Sequence, residues 1–122
     1  MKDYHILVVE DDQDGQELVA RMLNYHKIPF HIVFTAEDAL EALNQGQYTG
    51  AIFDLNLPGM DGWTLLDAVK SDPHTANLPC VAITAYHSAD LAVKAIEAGF
   101  VAYFPKPLES TSFVRELQRV LN

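Results

Sequence analysis

Residues 6–12 read Ile6-Leu7-Val8-Val9-Glu10-Asp11-Asp12. Four apolar residues, three of them β-branched, run straight into three consecutive carboxylates. An apolar run this short, closed by polar residues, predicts a strand, and its lack of alternation predicts burial on both faces. The acids then stand at the strand's carboxyl end. Further runs at Phe30-His31-Ile32-Val33-Phe34, Ala51-Ile52-Phe53, Val81-Ala82-Ile83 and Val101-Ala102-Tyr103-Phe104 read as strands too. Those beginning at Ala51 and Val81 are as uninterrupted as the first and belong at the centre of a sheet. His31 suits an edge.

The segments between these runs carry helical spacing. Leu18, Val19, Met22 and Leu23 form one stripe. Ala36, Ala39, Leu40 and Leu43 form a second, ended by Gly46, and Leu65, Leu66 and Val69 a third, stopped before Pro73. Leu91, Ala92, Ala95 and Ile96 form a fourth, ended by Gly99 in a C-cap position, and Phe113, Val114, Leu117, Val120 and Leu121 the last. Strict alternation of strand and helix predicts a (βα)5 α/β chain with a parallel sheet and right-handed crossovers. The expected architecture is a doubly wound, three-layer sandwich of strand order 2-1-3-4-5.

The 122 residues fit one domain, 1–122, with no repeat, linker or output domain. The single cysteine, Cys80, has no internal disulfide partner, and no apolar run is long enough to span a bilayer. The N-terminus lacks a signal peptide's apolar stretch, so a cytoplasmic location without membrane insertion is expected. A formal charge of -9 repels phosphate backbones and argues against direct nucleic-acid binding. The five histidines are scattered without ligand spacing, which argues against zinc.

Sites in open parallel sheets form outside the carboxyl ends of the strands. Glu10, Asp11 and Asp12 follow the first run, Asp54 the third, Thr84 and Ala85 the fourth, and Lys106 with Pro107 the fifth. Each has an ordinary reading: helix caps for the acids, a turn residue for Asp54, a strand threonine and a surface lysine. Asp14 with Glu17 has the spacing of a cap pair, which leaves the earlier acids without a structural task, and Asp61-Gly62 fits the turn better than Asp54. The joint placement at one sheet edge is what carries weight. Crowded carboxylates raise each other's pKa or recruit a cation, and hard oxygen donors suit Mg2+, with Mn2+ as second candidate. Lys106 and the Thr84 hydroxyl can then contact phosphoryl oxygens, with a carboxylate as nucleophile.

The stretches Ile6 to Asp12, Asp54-Leu55-Asn56-Leu57-Pro58-Gly59-Met60-Asp61-Gly62, Ile83-Thr84-Ala85 and Ala98 to Pro107 together resemble the receiver domains of two-component response regulators. The resemblance is to the flavodoxin-like fold of the stand-alone chemotaxis regulator and runs from Ile6 to Leu121. It implies Asp54 as phosphoacceptor. It implies Glu10, Asp11, Asp54 and the Asn56 carbonyl as Mg2+ ligands, and Lys106 as the phosphate-binding lysine. The Asn56 and Ala85 N–H groups become phosphoryl contacts. Thr84 and Tyr103 become the switch pair, and the Lys106–Pro107 bond is implied to be cis. Position 10 is Glu where Asp is more frequent in the family.

The resemblance further implies a signalling protein with no free turnover substrate, which promotes its own phosphotransfer and autodephosphorylation. Its donor would be a histidine kinase or histidine phosphotransfer protein, and its reader a downstream effector bound at the surface of the fourth helix, fifth strand and fifth helix. A monomer is expected, with phosphorylation-dependent dimerisation as a variant. Other readings stay open: a receiver from a larger transcription factor or hybrid kinase, or a receiver-fold binding module that is never phosphorylated. A phosphatase of the haloacid dehalogenase type is disfavoured, because it needs a second Asp where Asn56 stands.

Overall fold

The computed structural model describes residues 3–122; Met1 and Lys2, part of the N-terminal stretch weighed above as a leader, lie outside the described residues. Ten elements alternate: β1 (Ile6–Val9), α1 (Gln13–Tyr25), β2 (Phe30–Val33), α2 (Ala36–Gln45), β3 (Gly50–Asp54), α3 (Gly62–Ser71), β4 (Cys80–Thr84), α4 (Ala89–Ala98), β5 (Ala102–Pro105) and α5 (Ser110–Leu121). All strand pairs are parallel, in the expected order β2-β1-β3-β4-β5. Every residue of β1, β3 and β4 is buried, whereas β2 exposes His31 at its edge.

Side chains alternate across the sheet and feed two cores. Ile6, Val8, Ile52, Val81 and Ile83 pack with Val19, Met22 and Leu23 of α1 and Phe113, Val114, Leu117 and Leu121 of α5. Leu7, Val9, Ala51, Phe53 and Ala82 pack with α2, α3 and α4 on the other face. Cys80 is part of that second core. No helix among the described residues is long and apolar enough to cross a membrane.

Two local expectations are corrected. The cap of α1 is Asp12, whose side chain accepts from the Gly15 N–H at 2.9 Å, not Asp14. Asp14 sits inside the first turn, where its charge faces the positive helix end. In α4 only Ala95 is fully buried, while Ile96 and Val93 are exposed. Gly99 does end α4, at φ 122°, a conformation that L side chains rarely adopt.

Candidate functional site: an acidic cleft at the strand ends

Strand register assembles the site. Val9 pairs with Phe53, so Glu10 and Asp54, each one residue further on, meet at the carboxyl edge. Asp54 pairs with Ile83, and Thr84 with Pro105, which sets Thr84 and Lys106 just beyond. The Lys106 N–H donates to the Thr84 carbonyl at 2.7 Å, and the Lys106–Pro107 bond is cis. Gly62 lets the loop after β3 fold back, for a Cβ there would lie 2.5 Å from the Asp54 carbonyl oxygen and 2.9 Å from the Leu55 Cα.

Lys106 is the hub. Its Nζ donates to Glu10 Oε1 at 2.5 Å and to Asp54 Oδ2 at 2.9 Å. The other Asp54 oxygen accepts the Asn56 N–H at 2.9 Å. Glu10 is wholly buried and Asp54 is 5% exposed, while Asp11 lies open to solvent. Glu10, Asp11 and Asp54 each bring a carboxylate oxygen within 4.8 Å of the others. Among the described residues, Glu10 Oε2 is the one buried side-chain polar atom without a hydrogen-bond partner.

Burial, then the neighbouring Asp54, pushes the Glu10 carboxyl up to about 8. Burial acts the same way on Asp54, but the facing Glu10 carboxyl, the Asn56 N–H bond and Lys106 outweigh it and hold Asp54 low. Lys106 loses solvation, yet its two carboxylate partners carry its pKa above the ordinary value. One ammonium therefore serves two buried acids, and Glu10 is the acid left short of positive charge. Three carboxylates with grouped oxygens, one of them carrying a buried oxygen without a partner, form a donor set that fits a hard divalent cation.

Thr84 is buried, and its hydroxyl oxygen accepts from the Asn56 side-chain amide at 2.9 Å and the Tyr86 N–H at 3.1 Å. Tyr103 is half-buried, and its hydroxyl lies 3.1 Å from His87 Nδ1. Ala85 lines a cleft of about 370 Å³ beside Glu10 and Lys106, together with Leu18, Pro107 and Leu108. Sequence reasoning missed the Asn56 amide on Thr84 and the His87 partner of Tyr103. Both contacts join separate segments of the chain, and no periodicity marks them.

A doubly wound sheet with paired acids and a lysine at its carboxyl edge is an arrangement suited to holding a cation and a phosphoryl group. The chain belongs to the response regulator receiver domain family, whose model matches residues 6–118. It is 36% identical over 110 residues to the response regulator protein FleR of Pseudomonas aeruginosa, a match that covers 89% of this chain but only 23% of FleR's length. It is 32% identical over 114 residues to an uncharacterized 14.6 kDa protein in the sodA1 3' region of Leptolyngbya boryana, covering 93% of this chain and 87% of that one. The receiver domain of the sensor histidine kinase PA1611 of P. aeruginosa, solved with a magnesium ion coordinated in its active-site cleft, shares the fold at a TM-score of 0.88. That likeness covers 98% of both chains at 24% identity.

Proposed function

We propose that residues 1–122 act as one receiver domain in which Asp54 accepts a phosphoryl group from a phosphohistidine donor, with Mg2+ held by Glu10, Asp11, Asp54 and the Asn56 carbonyl. The observation that carries this reading is the pairing of Asp54 Oδ2 with Lys106 while Glu10 Oε2 stays buried and unpartnered. A bound Mg2+ supplies positive charge against the phosphoryl oxygens as they approach the acids. An Asp54 carboxylate oxygen forms the new bond to phosphorus as the bond to the donor imidazole nitrogen breaks. Asp54 is held ionised by its hydrogen-bond partners, which keeps it nucleophilic. Lys106 is placed to follow the charge from carboxylate to phosphoryl oxygen, and the Asn56 and Ala85 N–H groups supply further donors. The apolar wall of Leu18, Pro107 and Leu108 offers the donor ring a dry approach.

The phosphoryl group adds acceptor oxygens beside Thr84. In this reading Thr84 leaves its Asn56 partner for the phosphoryl group, and Tyr103 leaves His87 and turns inward. The surface of α4, β5 and α5 then changes for a downstream effector. The histidine kinase or phosphotransfer donor and the effector are parts of the same proposal.

Intact-mass spectrometry after incubation with acetyl phosphate tests the first step. Wild type should gain one phosphoryl group only when Mg2+ is present, and Asp54→Asn should gain none. No added mass in wild type, or equal labelling of Asp54→Asn, rejects it.

A further inference from the structure

Gly15 is the third residue of α1, a place where glycine is the least favourable choice after proline. Its φ does not require glycine, but its surroundings do. A Cβ on Gly15 would lie 2.8 Å from Cδ and 3.1 Å from Cγ of Glu10, and closer still to Oε1. The Glu10 carboxylate thus occupies the space that a side chain at position 15 would take.

Glu10 has little freedom to move aside. Its N–H donates to the Val33 carbonyl at 3.1 Å, and its own carbonyl accepts from Gln16 Nε2 at 2.6 Å. At the far end, Oε1 is held by Lys106 at 2.5 Å. The residue is pinned at both ends and wholly buried between them.

We infer that Gly15 is a positioning residue of the acidic site: its missing side chain makes the seat in which the longer acid at position 10 lies, with Oε1 on Lys106 and a carboxylate oxygen within 4.8 Å of those of Asp11 and Asp54. Glu10 and Gly15 form a size-matched pair. An aspartate at position 10, one methylene shorter, withdraws from that seat and makes a side chain at position 15 tolerable. The inference rests on the proposed function for its Mg2+ consequence and on packing alone for the rest.

Four proteins of 122 residues decide it: wild type, Gly15→Ala, Glu10→Asp and the double variant. Two quantities are read, the thermal midpoint in EDTA and the Mg2+ dissociation constant by titration calorimetry. An ordinary helical Gly→Ala change raises the midpoint. Here Gly15→Ala should lower it in the wild-type background and raise it in the Glu10→Asp background. Mg2+ binding should weaken by about tenfold in the single variant, the range seen when groups that orient metal ligands are lost. In the Glu10→Asp background the same change should leave Mg2+ affinity where Glu10→Asp alone put it.

A raised midpoint in Gly15→Ala, or an equal loss in both backgrounds, overturns the pairing. Unchanged Mg2+ affinity in Gly15→Ala overturns its positioning role. If Gly15→Ala does not fold, a folded double variant is the same support in stronger form, and two unfolded variants refute the pairing. Should wild type bind no Mg2+, the proposed function fails, and the metal-free midpoints alone decide the inference.

Discussion

Ionising Glu10 costs the fold stability. Its carboxyl is held near 8 against an ordinary 4.5, chiefly by burial and then by Asp54. Below the ordinary value the group is protonated in folded and unfolded chains alike, and no penalty arises. As pH rises from there toward 8, the unfolded chain releases a proton that the folded chain keeps, so stability falls. Asp54 has the opposite sign: its contribution is present above its ordinary 3.8 and lost as pH falls through its lower folded value. The metal-free protein should therefore show a lower thermal midpoint at pH 8 than at pH 5, and Glu10→Gln should flatten that slope. Mg2+ should raise the midpoint more at pH 8, where metal binding displaces fewer protons. An unchanged slope in Glu10→Gln would assign the pH dependence elsewhere. The sequence displayed the acids at 10, 11, 12 and 54 plainly. It did not show that Glu10 would be wholly buried and Asp11 open, because that depends on how α1 lies over the end of β1.

At the scale of elements, the N-terminus of α1 separates the three consecutive acids by task. Glu10 turns inward to Lys106, Asp11 stays at the open side of the cluster, and Asp12 caps the helix. The spacing of Asp14 and Glu17 fits the capping pattern as well as that of Asp12 and Gly15 does, but the helix already begins at Gln13, which leaves Asp14 inside it and Asp12 with the extended backbone of an N-cap. Gly15 donates its N–H to Asp12. Asp12→Ala should cost about 1 kcal/mol in urea unfolding with Mg2+ affinity nearly intact. Asp11→Ala should do the reverse, losing Mg2+ binding while stability holds or rises as like charge is removed. Equal loss of Mg2+ binding in both variants would contradict this division. The strands and helix stops were legible because β-branched runs, Gly46, Gly99 and Pro73 mark them locally. The exposure of Ile96 was not, because α4 carries apolar residues on more than one face and only packing selects the buried one.

At the scale of the molecule, alternation with right-handed crossovers left few sheet orders, and the uninterrupted apolar runs at Ile6, Ala51 and Val81 with His31 at an edge favoured the one observed. Register then turned four separated stretches into one site. What no linear pattern conveyed are two contacts: the Asn56 amide donates to the Thr84 hydroxyl, and His87 lies against the Tyr103 hydroxyl. Phosphorylation of Asp54 is expected to break both contacts and change the face of α4 and β5. Tyr103→Ala should still be phosphorylated but should no longer transmit the change. The most direct test is the amide nitrogen–proton spectrum of the protein before and after acetyl phosphate in the presence of Mg2+. The prediction is that resonances move both around Asp54 and along α4 and β5 in wild type, remain confined to the site in Tyr103→Ala, and stay still in Asp54→Asn. Shifts restricted to the site in wild type, or the same α4 and β5 shifts in Asp54→Asn, would contradict it.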